Sequence, residues 1–157
     1  MGITFEPTTD AAEITRIVTT PYIWRELSDD FDGDPSEYEP KIHAQVLYAL
    51  VKDGDSIIGL VIFSMHSTIC WEVTIAMLPE GRGRALETAK AGLKWIFTKS
   101  RCLRLIGRVL KSNRLALKLN KAAGFKVYGV NPKCVMRNGK LEDFVLFGIS
   151  KDEFRES

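Results

Sequence analysis

Two apolar, β-branched runs at residues 46–51 and 57–63 enclose the break Lys52-Asp53-Gly54-Asp55-Ser56, and this arrangement constrains the fold more than any other feature of the chain. It reads as an antiparallel hairpin, which residues 69–77 extend to a three-stranded meander. A meander must be covered by other elements to hide its apolar faces. With 157 residues, 45% of them hydrophobic and 27% charged, the chain has the length and balance to do so as one domain over 1–157, without disulfides or metals.

Those covering elements flank the meander. Residues 3–6 read as a strand, and Asp10 offers a capping side chain to a helix over 11–19, where Ala12, Ile14, Ile17 and Val18 recur at helical spacing. Pro21 is expected to end or kink that helix, and a second short one is expected over 22–27. The Asp-, Gly- and Pro-rich stretch 29–40 reads as a loop. After the meander, Leu86, Ala89, Leu93, Ile96 and Phe97 mark a long amphipathic helix, 103–109 a strand, and Leu115 to Ala123 a helix that Gly124 terminates. A strand is expected to begin at 125–130, and Asn138-Gly139 predicts a hairpin between 134–137 and 144–149. The order gives a mixed sheet with helices packed on it.

Charge narrows the partners. Twenty-two basic against 20 acidic residues leave a formal net charge of +2, too small for a surface devoted to nucleic acid. Basic residues nevertheless gather between Lys94 and Lys121, while Asp29, Asp30, Asp32, Asp34 and Glu37 gather earlier, which points to an anionic ligand near the second half. Cys70, Cys102 and Cys134 are widely spaced and form no C-x-x-C pair, so reduced structural cysteines are expected. No run approaches the ~20 apolar residues of a membrane span, and a cytoplasmic location is expected.

One segment has the layout of an anion site. A strand that passes through a glycine-bearing turn into a helix presents free backbone N–H groups at the positive end of the helix dipole, as a pyrophosphate requires. Met77-Leu78-Pro79-Glu80-Gly81-Arg82-Gly83-Arg84-Ala85-Leu86-Glu87 has that layout.

On these residues the chain resembles the GNAT superfamily of acyl-CoA-dependent N-acyltransferases, whose pattern here is R/Q-x-x-G-x-G/A, commonly preceded by P-E. Pro79, Glu80 and Arg82 match, while Ala85 and Glu87 stand where small or glycine residues belong. A second element, Asn113 to Phe125, resembles the family's N-x-x-A-x-x-x-Y-x-x-x-G-F, with Asn113, Ala116, Gly124 and Phe125 in place and Asn120 at the tyrosine's place. The resemblance runs from Ile3 to Ile149. Thr20-Pro21-Tyr22-Ile23-Trp24 with Ser28-Asp29-Asp30 further resembles GNAT-like proteins encoded by bacteriophages.

The resemblance implies an α+β fold with a splayed, mostly antiparallel sheet of six to seven strands and helices on both faces. It implies acetyl-CoA as co-substrate and no metal. Pantetheine would lie in the opening between the strand ending near Met77 and the strand beginning near Leu103, against backbone groups of Ala76 and Met77. The amides of Arg82, Gly83, Arg84, Ala85, Leu86 and Glu87 would hold the pyrophosphate, with Arg84 or Lys118 meeting a phosphate and Asn113 contacting the cofactor. Glu72, on the strand leading into the turn, falls where several GNAT enzymes carry a catalytic base for the amine. Without the tyrosine, proton donation to the thiolate falls to water, Tyr128 or another group, since an amide is no acid.

The reaction so implied is transfer of an acetyl group to a small-molecule or protein amine by a monomer or homodimer. The acidic loop would sit beside the acceptor mouth and favour a cationic amine. The departures at Ala85, Glu87 and Asn120 also support an alternative: a GNAT scaffold that has lost chemistry and serves as a structural or interaction component, such as part of a phage particle. Ser28 to Glu39 superficially follows calcium-loop spacing, but Pro35 and the leading Ser28 spoil it, and a solvated acidic loop is the expectation. His43 and His66 read as isolated polar histidines, Trp71 as a packing residue or a wall of the acceptor cleft.

Overall fold

Residues 2–155 are described by a computed structural model in which β1 (Ile3–Thr8) leads to α1 (Ala11–Val18) and α2 (Pro21–Leu27). The meander follows as β2 (Val46–Asp53), β3 (Ser56–Met65) and β4 (Cys70–Met77). Then come α3 (Ala85–Lys99), β5 (Arg104–Leu110), α4 (Arg114–Ala123), β6 (Lys126–Arg137) and β7 (Lys140–Ser150). The strands form one seven-stranded sheet in the order β1-β2-β3-β4-β5-β7-β6, antiparallel at every junction except β4 with β5.

Alternation along the central strands fixes the layers. Ala49, Val51, Ile58, Val61 and Phe63 face one core with Ala89, Leu93, Ile96 and Phe97 of α3. Their neighbours Tyr48, Leu50 and Leu60 face a second core with Ile14, Ile17 and Val18 of α1 and Ile23 of α2. Both faces of β2 and β3 are therefore buried, which explains why these strands read as continuous apolar runs. Each fully buried Leu, Val or Phe there contributes roughly 1.5–3 kcal/mol.

Local chemistry sets the boundaries. The Asp10 carboxylate accepts from the amides of Ala12 and Glu13 and starts α1. Pro21 does not kink α1: that helix has already ended at Val18, and Pro21 opens α2, where its missing N–H costs nothing. Gly124 ends α4 in the left-handed region, at φ 107°. The two pieces expected at 125–130 and 134–137 are one strand, β6, interrupted by a bulge between Asn131 and Val135. Pro132 lacks a ladder donor there, and the Asp143 carboxylate accepts the displaced Lys133 amide at 2.9 Å. The turn joining β6 to β7 has Asn138 at φ 53° and Gly139 at φ 74°, the signature of a type I′ hairpin.

All three cysteines are free thiols, and burial pushes that of Cys102 up to about 11. Among the described residues no helix is long and apolar enough to cross a membrane.

Thr88 is buried on the inner face of α3, and its hydroxyl has no hydrogen-bond partner among the described residues. A buried polar group without a partner costs about 1–3 kcal/mol, whereas an apolar group of the same shape does not. Thr88→Val is expected to raise the melting temperature by about 2–4 °C in thermal denaturation, equivalent to about 1 kcal/mol.

Candidate active site

Strands β4 and β5 run parallel for three registered pairs, Cys70 with Arg104, Trp71 with Leu105 and Glu72 with Ile106, and then separate. Each is held by its other neighbour. β4 continues its antiparallel register with β3 as far as Met77, and β5 follows β7 as far as Leu110. The gap between them is a cleft of about 370 Å³, walled by Val73, Ile75 and Met77 on one side and Gly107 and Val109 on the other, and roofed by Leu115, Ala116 and Leu119 of α4.

The ladder decides which backbone groups face this cleft. Leu78 donates to Ile58 O at 2.9 Å, so by antiparallel alternation Ala76 also turns its amide and carbonyl toward β3. The backbone groups of Ile75 and the amide of Met77 point the other way, into the gap. The carbonyl of Met77 accepts the phenol of Tyr22 from α2. Of the two residues expected to line the cleft with backbone, Met77 does so through its amide, while Ala76 is committed to the sheet.

A 3-10 turn, Pro79–Arg84, carries β4 into α3, whose start has no side-chain cap among the described residues and brings Ala85 to the cleft. Gly81 is the residue that permits the turn: a Cβ there would meet Ile58 O at 2.5 Å and the Met77 methyl at 2.7 Å. Gly83 has nothing within 4 Å of such an atom. Ala85 lines the cleft, Leu86 is partly exposed, and the Arg82 guanidinium lies over the Tyr22 ring, 4.4 Å from its centroid. Arg84 bonds Asp53 at 2.6 Å and Glu87 at 2.9 Å. This guanidinium holds the Glu87 carboxyl below its usual range, so Glu87 is ionised at neutral pH.

On α4, Asn113 is the N-cap: its carbonyl oxygen accepts from Ala116 N at 3.2 Å, and its amide donates to Glu26 Oε2 at 3.2 Å. Asn120 lines the cleft and donates to Ala116 O at 2.8 Å. Lys118 is exposed and is not among the lining residues. Tyr128 is outside the cleft as well, stacked with the Arg104 guanidinium at 5.6 Å.

Glu72 is held on both oxygens. Oε1 lies 2.8 Å from His66 Nε2, and Oε2 lies 2.9 Å from Arg108 Nε, with the carboxylate only 16% exposed. Glu72 does not line the cleft; Arg108 stands between. His66 is therefore not isolated, because the β3–β4 turn brings it next to Glu72 on one face of the sheet. Trp71 points to the other face, edge-on to Phe63 in the α3 core, and is not among the residues lining the cleft.

A second, polar pocket of about 280 Å³ adjoins the cleft, between the end of α2 with its following loop (Glu26, Asp29, Asp32) and β6 (Cys134, Arg137). The acidic loop is organised by its own carboxylates. Asp29 accepts from Phe31 N and Asp32 from Asp29 N, while Asp30 receives both amides of the Asn138-Gly139 turn at 2.8 Å. Asp34 and Glu37 form a capping box. Asp30 thus fastens the tip of the β6–β7 hairpin to this loop. Among the described residues no group of three or more His, Cys, Asp or Glu side chains is placed to hold a metal.

Residues 3–126 match the acetyltransferase (GNAT) domain family. No curated protein matches the chain. Among solved structures, spermidine N-acetyltransferase from Vibrio cholerae in complex with CoA and spermine superposes with a TM-score of 0.79 at 18% identity, covering 96% of each chain. A dodecameric structure of spermidine N-acetyltransferase from Vibrio cholerae, in an intermediate state, gives 0.76 at 20% identity over 96% of this chain and 95% of that one. At these identities the likeness shows the fold.

The two glycines of the turn separate in a stability measurement. Gly81→Ala is expected to cost about 1–3 kcal/mol through overpacking against β3, and Gly83→Ala less than about 0.5 kcal/mol, as read from denaturant unfolding.

Proposed function

Since the chain belongs to the acetyltransferase (GNAT) family, which its residues 3–126 match, we propose that it binds acetyl-CoA between β4 and β5 and transfers the acetyl group to a primary amine. The separation of those strands after Glu72 and Ile106 carries this reading. It opens an apolar slot, bordered by unpaired backbone groups, with a helix N-terminus at one end and an acidic pocket at its side. Pantetheine fits the slot, bonding Ile75 backbone and the Met77 amide, and the pyrophosphate fits the turn and first-turn amides from Arg82 to Glu87. Asn113, at the start of α4, borders the cofactor from the opposite wall.

The acceptor enters through the polar pocket, where Glu26, Asp29 and Asp32 favour a cationic amine. The structural neighbour crystallised with CoA and spermine supports a small, amine-bearing acceptor. Glu72 belongs to the machinery through its pairing with Arg108 at the edge of the cleft.

A second reading, a scaffold without chemistry, is favoured by one observation: Asn120 stands in the cleft with its amide already donating to Ala116, so no phenol serves the leaving thiolate. Ligand binding separates the two. Acetyl-CoA and CoA are expected to raise the melting temperature, and adenosine without phosphates is not; no shift at millimolar CoA would remove the acetyltransferase reading.

Glu87 gives a sharper test of the pyrophosphate site. Its removal takes an ionised carboxylate away from the arriving phosphates, while Asp53 still orients Arg84. Glu87→Ala is expected to tighten CoA binding by about fivefold at low salt, with the gain shrinking as salt rises. Weaker binding in calorimetry would show instead that the carboxylate holds Arg84 in place for the phosphates.

A further inference from the structure

The cleft and the polar pocket share one stretch of wall, formed by Glu26, Leu27, Arg108, Leu110 and Phe144. An acyl group arriving through the cleft and an amine arriving through the pocket can meet only there. Among the described residues Glu26 and Arg108 are the two charged side chains that line the cleft, and both lie in this shared wall. Resting on the acetyl-transfer reading, we propose that they are its catalytic pair: Glu26 takes the proton of the incoming ammonium, and Arg108 stabilises the negative charge that develops on the acyl oxygen and the leaving sulfur.

Each is oriented for that task. The Asn113 amide donates to Glu26 Oε2 at 3.2 Å, which fixes the carboxylate at the mouth of the pocket. Arg108 pairs through Nε with Glu72 at 2.9 Å and lies with Cζ 5.1 Å from the Phe144 ring centroid. A fixed cation of this kind acts where charge develops without reorganising. It also answers the missing phenol, since Asn120 and Tyr128 are not acids in this cleft. Glu72, with one oxygen on Arg108 and the other on His66, is a positioning residue for Arg108.

One ammonium proton passes to Glu26, and the amine nitrogen bonds the thioester carbon while the carbonyl pair moves to oxygen. Collapse breaks the C–S bond and expels the CoA thiolate. The second nitrogen proton goes to that thiolate, giving the amide and free CoA thiol, and the Glu26 proton leaves to solvent. Charged or titratable groups that share the pocket with Glu26 are Asp29 and Asp32 in the loop after α2, Arg108 on β5, and Cys134 and Arg137 on β6.

The test compares wild type, Glu26→Gln, Arg108→Gln, Arg108→Lys and Glu72→Gln. The measurements are CoA binding by calorimetry, thiol release from acetyl-CoA with 1,3-diaminopropane and a lysine-bearing peptide across pH, and ultraviolet titration of the bound CoA thiol. CoA affinity is expected to stay within about threefold in Glu26→Gln, with kcat/KM lowered on the order of 10²-fold and its low-pH limb lost. Arg108→Gln is expected to lose on the order of 10²-fold in kcat and to shift the bound thiol's titration to higher pH, with partial return in Arg108→Lys. Glu72→Gln is expected to lose less than about tenfold, with an unchanged pH profile.

Wild-type rates in Glu26→Gln across pH would overturn the proposal, as would an unmoved thiol titration in Arg108→Gln. Loss of the low-pH limb in Glu72→Gln alone would overturn it by making Glu72 the base. CoA binding without thiol release from wild type overturns the catalytic pair and leaves a binding scaffold, whereas absence of CoA binding overturns the acetyltransferase reading itself.

Discussion

The structure depends on a competition for backbone partners at the junction of β4 and β5. Parallel pairing is slightly weaker per residue than antiparallel pairing, and here it loses after Glu72 and Ile106 because each strand has a better neighbour on its other side. The hairpin with β3 holds β4, and β7 holds β5. Neither strand can turn back to close the gap without breaking a longer antiparallel register. The cleft is therefore not a packing defect that side chains could fill but an opening held by two ladders, with Gly107 facing Val73 near its apex.

Much of this was legible in the sequence because it is local. The hairpin and meander follow from β-branched runs and a Lys-Asp-Gly-Asp-Ser break, the I′ turn from Asn138-Gly139, and the end of α4 from Gly124. These signals are short and involve neighbours in the chain. The bulge in β6 was less visible, since separate strands at 125–130 and 134–137 left 131–133 unassigned, and only the Asp143 carboxylate, on the partner strand, shows how one strand spans them. Pro21 carried an ambiguous signal, because the same ring that breaks a helix from inside is comfortable at its first position.

The site was legible only in part for the same reason. The strand, turn and helix from Met77 to Glu87 are contiguous, so their arrangement could be read, although which glycine the turn requires could not: Gly81 is set against Ile58, a residue of another strand. Glu26, Arg108 and Phe144 come from three distant elements and meet only in the fold. His66 lies six residues from Glu72, yet its pairing becomes visible only once the β3–β4 register puts both on one face. Ala76 turns its backbone groups to β3 through the parity of the ladder, a property that a one-residue change of register would reverse.

The attachment of Asp30 to the Asn138-Gly139 turn ties together segments more than a hundred residues apart. The polar pocket is lined by residues 26–32, by Arg108 and Leu110, and by residues 134–144, so it cannot exist until residue 144 has emerged from the ribosome. By then β2 and β3 can already be covered on both faces, by α1 and α2 on one side and by α3 on the other. The order of assembly thus places the mouth of the pocket after the meander, closed by a carboxylate that waits on an early loop for two amides made more than a hundred residues later.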